Sequence, residues 1–501
     1  MKKLAIFSVS LAAVLAMGVM AGCTPSDNTK PNDGDDATVP EYYMPQWSGR
    51  ENEEREVSVH DPSIFQDPAD GTYYAFGTHY AVASSADLIN WTQVAGDNDY
   101  EALYGENCQT AEGYSAWPKA LQDTLDVVMP SASVTTTWAP DVEYHDGTYY
   151  MYYSLTSAFG SRNSAIARVE SNRVMGPYGN NVVLIDSMGG SGSDPNCIDP
   201  ELFYDKDGGL WMVYGSFFGG IYILELENEG ENWGLPKEGQ GYGKRLWGSN
   251  SSGMEGPFIF YNEDTGYYYL MTSHGDLNTN YNMRVARSEN PDGPYVDITG
   301  ENVEGNSGGG NKLAGNYVLG DANGYAAIGH NSVIKTSSEE SGDRYLVVSH
   351  ARRQAGDTGV TPAHSVYVFQ LYFNEDGWPV MNPNRYADEV TGTGIEDEML
   401  VGDFDLVLHT EGTTAEFAQS SVYSLAADGN VTKDGGNVGT WERSGDYYIT
   451  VTLDGIEYKG VVTPSYRMYE RSVYENYPVW SITATSNTGR ALWMVGQFEA
   501  D

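Results

Sequence analysis

A chain of 501 residues with a formal net charge of -43 has room for one large domain and one small one. The acidic excess repels phosphate backbones, anionic lipid faces and polyuronates, so nucleic acid is excluded as a partner while a neutral polymer is not. With 38 Tyr, 58 Gly and 13% aromatic residues, the composition favours many short strands and tight turns over helical bundles.

At the amino terminus, Lys2 and Lys3 precede an apolar run from Leu4 to Met20 that is too short and badly flanked for a stable membrane span. Residues 1–22 are therefore expected to be a signal peptide and take no part in the fold. The run ends in Met20-Ala21-Gly22-Cys23, which resembles a bacterial lipoprotein cleavage box, with Met20 where Leu is usual. On that reading Cys23 is acylated, the protein is extracellular and surface-anchored, and its membrane contact is only through that lipid. An ordinary secretory signal with an incidental cysteine is the alternative. Residues 23–55 read as a polar tether. Cys108 and Cys197 form no CxxC pair, so a thiolate zinc site is not expected, and sequence does not say whether they pair with each other.

Between residues 56 and 395 five segments share one grammar: a polar or acidic opening, an apolar strand, a turn, and an aromatic-rich strand. The openings are Asp61-Pro62-Ser63-Ile64-Phe65, Asp141-Val142-Glu143-Tyr144, Asp199-Pro200-Glu201-Leu202-Phe203, Glu255-Gly256-Pro257-Phe258-Ile259 and His330-Asn331-Ser332-Val333. Strands such as Thr148-Tyr149-Tyr150-Met151-Tyr152-Tyr153 follow, and Asp70-Gly71, Asp146-Gly147, Asp207-Gly208 and Thr265-Gly266 mark the hairpins. Repeats of this length, with about four strands each, predict an all-β, five-bladed β-propeller whose openings meet at the central channel. The stretch from Asp97 to Thr137 reads as an insertion over the propeller face, and Gly305 to Gly315 as a loop. Residues 396–501 change rhythm and predict a small antiparallel β-barrel domain, either a glycan binder or a stabilising partner.

Cleaving a glycosidic bond takes one carboxylic acid to protonate the leaving oxygen and a second carboxylate to activate water or attack the sugar. A third carboxylate nearby raises the acid's pKa. Asp61, Asp199 and Glu255 supply that trio at the expected channel mouth. An Asp-Pro pair alone is far more often a turn; it is the recurrence at one place in the repeat that gives these acids weight. Blade two carries Ala139 in the slot, so Asp141 points elsewhere and is kept as a weaker, substrate-binding candidate. Aromatic faces pack on sugar C–H faces, which nominates Trp138, Phe217 and Phe218 as platforms against a core role. Asn163 and Ser164 are candidate donors to sugar hydroxyls, or simple loop polarity.

The ordered phrases His60-Asp61-Pro62-Ser63-Ile64, Trp138-Ala139-Pro140-Asp141-Val142, Ile198-Asp199-Pro200-Glu201, Glu255-Gly256-Pro257 and Gly329-His330-Asn331-Ser332 resemble glycoside hydrolase family 43. Tyr281-Asn282-Met283-Arg284-Val285, Gly293-Pro294-Tyr295, Gly215-Ser216-Phe217-Phe218-Gly219-Gly220-Ile221 and Asn384-Arg385-Tyr386-Ala387-Asp388-Glu389 resemble its endo-arabinanase branch. The resemblance spans Val59 to Glu389. It implies inverting hydrolysis of α-1,5-L-arabinan, a neutral polysaccharide, with Asp61 as general base, Glu255 as general acid and Asp199 as pKa modulator. It also implies a Ca2+ ion facing His330 and held largely by water, although a lone His in a strand is usually a satisfied core residue and calcium prefers oxygen. An exo-acting arabinofuranosidase or β-xylosidase of the same family, and a non-catalytic glycan-binding lipoprotein, stand as rivals.

Overall fold

Aromatic and β-branched residues alternating with small ones, and cut by Asp-Gly turns, form the strands that this pattern predicts. The computed structural model describes residues 39–44, 56–111, 114–129, 136–320, 324–338, 341–355, 359–360, 363–467 and 477–497. Among them, four four-stranded antiparallel sheets and one larger sheet form the five blades. Blade one is Ser63–Gln66, Tyr73–Phe76, Val82–Ser85 and Trp91–Ala95; blade two is Thr136–His145, Thr148–Thr156, Ser164–Ser171 and Gly179–Asp186. Blade three is Glu201–Tyr204, Leu210–Ser216, Gly220–Leu226 and Lys244–Trp247; blade four is Met254–Asn262, Tyr267–His274, Asn282–Ser288 and Asn311–Ala314. Blade five is Tyr325–Ser338, Gly342–Ala355, Ser365–Phe373 and Pro379–Met381, extended by Tyr317–Val318, Gly359–Val360 and Ala418–Gln419. The first strands of successive blades touch one another in a ring, which makes them the channel wall.

The ring closes between blades five and one. Val366 N–H donates to Val57 O at 3.0 Å, and Ser332 Oγ accepts from Ile64 N–H at 3.0 Å while donating to Pro62 O at 2.9 Å. Beneath these bonds Val59, Ala83, Trp91, Leu346, Val348 and Val368 form one apolar cluster. Burial of such side chains is the main stabilising contribution at each blade junction.

Eight further strands, from Gly402–Leu408 to Ala491–Gly496, close into a barrel. Its interior holds Phe404, Leu425, Trp441, Val451, Ile482 and Met494. Its outer side joins the propeller core, where Val407, Val479, Trp493 and Val495 pack with Phe258, Tyr317 and Met381.

Several expectations need correction. The expected leader, Cys23 and most of the tether lie outside the described residues, but residues 39–44 do not behave as tether. Tyr42 N–H donates to Thr393 O at 3.0 Å, Tyr43 N–H to Val390 O at 2.9 Å, and the Tyr42 ring meets Trp480 edge-on at 5.1 Å. Two aromatic rings give this piece something to bury. The insertion forms helices Tyr100–Tyr104 and Lys119–Val128 and a hairpin, Cys108–Ala111 with Tyr114–Pro118. Lys119–Val128 packs against the third and fourth strands of blade two, with Thr124 Oγ1 accepting from Asn181 Nδ2 at 2.8 Å, so it flanks a blade and does not roof the channel. Within the Gly-rich 305–315 stretch, Asn311–Ala314 is the outer strand of blade four. Cys108 and Cys197 are free thiols, the latter buried.

Candidate active site

The openings share a backbone device that the sequence shows only partly. Asp61, Ala139, Asp199, Gly256 and His330 all have left-handed φ values, of 53°, 35°, 58°, 58° and 38°. For a residue with a side chain this conformation is uncommon and strained, so its recurrence in every blade marks it as built in. Blades two, four and five also break register there, between Trp138 and Asp141, Glu255 and Phe258, and Gly329 and Ser332. In blade four the slot holds Gly256, and Glu255 precedes it. A Cβ at Gly256 would stand 3.0 Å from His330 Cγ, so a side chain in this slot would crowd the blade-five imidazole.

A second ring pins the first. The backbone N–H of a slot residue donates to a side chain on or just past the second strand of the preceding blade: Ala139 to Thr78 Oγ1 at 2.9 Å, Asp199 to Ser154 Oγ at 2.9 Å, His330 to Ser273 Oγ at 2.6 Å, and Asp61 to His350 Nδ1 at 3.1 Å. Blade three departs from the rule. Ser216 Oγ donates to Glu255 Oε2 at 3.2 Å, and Gly256 N–H donates to Asp199 Oδ2 at 3.1 Å. That exchange ties the carboxylate of blade three to the backbone beside the carboxyl of blade four.

Asp61, Asp199, Glu255 and His330 line one 480 Å³ cavity with Thr78, Trp138 and Phe159. Asp61 Oδ2 accepts from Thr78 Oγ1 at 2.6 Å, and its Oδ1 lies 3.1 Å from His330 Nδ1. Burial pushes the Asp61 carboxyl up, but His60, His330 and His350 together outweigh it and hold the group well below the usual carboxylate range. Glu255 is the opposite case: burial first, and then Asp199, push it up to about 8, against the donor Tyr281 OH at 2.8 Å. Burial raises Asp199 to about 6, with His330 opposing and Asp61 adding. Near neutral pH the three groups are therefore an ionised carboxylate, a mostly ionised one and a protonated acid.

His330 sits between them. Burial disfavours its charge, but Asp61, Asp199 and Glu255 raise it to about 9. Its Nδ1 faces Asp61, the contact by which a carboxylate orients metal-binding imidazoles, and near neutral pH Nε2 carries the second proton of the charged ring. A cation that displaced the Nε2 proton would find one imidazole lone pair there, and in that neutral form the donor set fits a cation held by one imidazole and water. Among the described residues a separate triad, His60, His350 and His364, brings three ligand nitrogens within 4.8 Å of one another. The His60 and His364 rings stack at 4.2 Å and 11°, His350 Nδ1 accepts from Asp61 N–H, and His364 Nε2 meets Leu277 O at 3.0 Å, while His350 Nε2 is buried without a hydrogen-bond partner among the described residues.

A second cavity, of 260 Å³, shares Trp138, Phe159, Ile198, Glu255 and Leu277 with the first, so the cleft runs past Glu255 on both sides. Phe217 and Phe218 line this part, with the Arg162 guanidinium 5.3 Å from the Phe218 ring centre. The structure places three other candidates elsewhere. Asp141, two residues beyond its slot, is buried, accepts from Ser63 Oγ at 2.9 Å and Leu202 N–H at 3.0 Å, and lines a cavity with Glu143 and Glu201. Ser164 is fully buried and donates to Thr156 Oγ1 at 3.0 Å inside blade two. Asn163 is exposed in the turn before it and lines neither part of the cleft. The candidates missed are Phe159, 75% exposed and edge-on to Trp138 at 6.1 Å, and the positioning hydroxyls of Thr78, Ser216 and Tyr281.

Comparison with known proteins agrees with this architecture. The profile of "Glycosyl hydrolases family 43" matches residues 55–379, and that of a "C-terminal lipocalin-like domain" matches residues 383–494. The chain is 38% identical over 470 residues to the extracellular endo-α-(1→5)-L-arabinanase of Thermotoga petrophila, covering 87% of this chain and 93% of that protein. It is 39% identical over 474 residues to the extracellular endo-α-(1→5)-L-arabinanase 2 of Bacillus subtilis, covering 88% and 93%. The crystal structure of the Thermotoga petrophila RKU-1 endo-1,5-α-L-arabinanase in complex with TRIS superimposes with a TM-score of 0.76 at 38% identity, covering 89% of this chain and 99% of that one.

Proposed function

The chain belongs to glycosyl hydrolase family 43, and from that premise we propose that it cuts α-1,5-linked L-arabinan at internal bonds with inversion of configuration. One observation carries the endo reading: the cleft continues on both sides of Glu255, so a polymer can lie across the acid with sugars bound ahead of it and behind it. Trp138 and Phe159 stand where the two parts meet and offer apolar faces to sugar rings.

The proposed chemistry follows from the three charge states. Asp61, kept ionised by its histidines, takes a proton from water as the water attacks the anomeric carbon. Glu255, kept protonated, delivers its proton to the departing ring's O5 oxygen. Asp199 holds negative charge close to Glu255 and favours its protonated form. Ser216 and Tyr281 fix the two oxygens of the acid. A Ca2+ ion on His330 would supply fixed positive charge among the three carboxylates; the His330 ring itself carries that charge when protonated. An extracellular location with a lipid on Cys23 accords with a polymeric substrate too large to enter a cell, and Cys23→Ala is then expected to release the protein from the membrane fraction.

The test is a digest of linear, debranched arabinan with products followed over time and chelator in one arm. Mixed oligosaccharides from the first minutes are expected, with lower activity in the chelator arm. Arabinose as the sole early product overturns the endo reading in favour of exo action. Binding without release of reducing ends overturns catalysis.

A further inference from the structure

The barrel reaches the cleft through a strap. Residues 409–420 leave its first strand, cross blade four, and pair in parallel with Tyr317–Val318 before returning. Facing the strap is the loop 275–280, whose Gly275, Asp276 and Leu277 line the 260 Å³ part of the cleft and whose Leu277 and Asn278 line the 480 Å³ part. The next residue is Tyr281, which donates to Glu255.

Asn282 clamps the base of this loop. Its Nδ2 donates to His274 O at 2.7 Å and Asn280 O at 3.1 Å, one carbonyl at each end, and also to Thr413 Oγ1 on the strap at 3.2 Å. Arg284 sets the Asn282 amide through Nε to Oδ1 at 3.1 Å and is itself held by the strap carbonyl Glu411 O at 2.7 Å. Asn316 Nδ2 makes a parallel link, donating to Thr279 O on the loop at 2.7 Å and Ala415 O on the strap at 3.2 Å. Thr413 Cγ2 is 2.9 Å from the point where a Gly275 Cβ would stand, so the strap and the loop are closely fitted. Arg284 and Lys312 are buried without an ion pair among the described residues, and strap carbonyls serve as their acceptors. Displacing the strap would take one acceptor from each, with Arg284 keeping Gly308 O at 2.8 Å.

We infer that the C-terminal barrel is a positioning domain for the cleft: through Thr413, Glu411 and Ala415 it orders the loop that forms one wall of the substrate groove. This deepens the proposed glycanase reading and rests on it for its kinetic arm. Thr413 is exposed, so Thr413→Val leaves folding intact while removing the hydroxyl that Asn282 uses. Losing one such bond is expected to raise KM for linear arabinan about fivefold with kcat nearly unchanged, and Thr413→Ser restores the wild-type value. Arg284→Lys keeps the charge, loses the fork and gives a larger rise. Amide exchange at Thr279, Asn280 and Tyr281, whose N–H groups all donate to Asp276 O, accelerates in both variants. That second readout needs no substrate, so it tests the strap even if arabinan is not the polymer cut. Wild-type KM, or unchanged exchange, in folded Thr413→Val overturns the inference, and so does a KM defect that Thr413→Ser fails to repair.

Discussion

The inner strands of the propeller bring together two trios of acids, Asp61, Asp199 and Glu255 in the cleft and Asp141, Glu143 and Glu201 in another cavity, and only the first is arranged for chemistry. At the cleft, Asp61, Asp199 and Glu255 are driven apart, from well below the ordinary range to about 8. In the other cavity Asp141, Glu143 and Glu201 are all raised, Asp141 to about 6, by burial, with repulsion adding for Glu143 and Glu201. The difference is the imidazole cluster around Asp61 and the two hydroxyls on Glu255, which have no counterpart against Glu143 or Glu201 among the described residues. Crowded acids alone yield a set of protonated groups; an acid–base pair requires unequal neighbours.

The asymmetry between the two trios depends most on Glu255. Glu255→Gln keeps the hydrogen-bonding shape but has no proton to deliver, and kcat on arabinan is expected to fall about 10²- to 10⁴-fold with an unchanged melting temperature. Asp61→Asn is expected to fall as far. Near-normal turnover in either variant would remove the acid–base assignment. A smaller effect is expected at Asp199. Replacing it with Asn deletes a charge that raises Glu255, so the alkaline fall in activity moves to lower pH and turnover at neutral pH drops by about tenfold. An unmoved alkaline limb would show that Asp199 does not act on the acid.

The smallest effect belongs to the other cavity. Glu201 has a folded-state pKa above its unfolded value near 4.3, so the folded protein binds the extra proton and loses stability as pH rises from there. Glu201→Gln removes that loss: its melting temperature is expected to match wild type at about pH 4 and to exceed it by a few degrees at about pH 8, with arabinan activity unchanged. A variant less stable at the higher pH would mean that Glu201 has a partner the account lacks.

What was legible in the sequence follows from which features repeat locally. The slot before proline is written out at Asp61, Ala139, Asp199 and Gly256, and it led to the ring of blades and to the acids. Asp141 misled because a strand advances about 3.3 Å per residue, so a side chain two positions past the slot has moved down the channel. The pins Thr78, Ser154, Ser273 and His350 are single residues at strand ends, and their role exists only once the neighbouring blade is placed. Phe159 lies in a turn, where an exposed aromatic has no periodic signal. Ser164 and Asn163 read as a polar pair, yet the strand buries one and leaves the other facing away from the cleft.

The most direct measurement is the pH profile of kcat/KM on linear arabinan, which reports ionisations of the free enzyme. Glu255 must be protonated to act, so activity is expected to hold through neutral pH and fall as pH passes about 8, while loss on the acid side awaits protonation of Asp61 far below neutrality or of Asp199 near about 6. An alkaline fall centred near about 4 to 5, where an ordinary glutamate ionises, would contradict the claim that the site keeps its acid protonated.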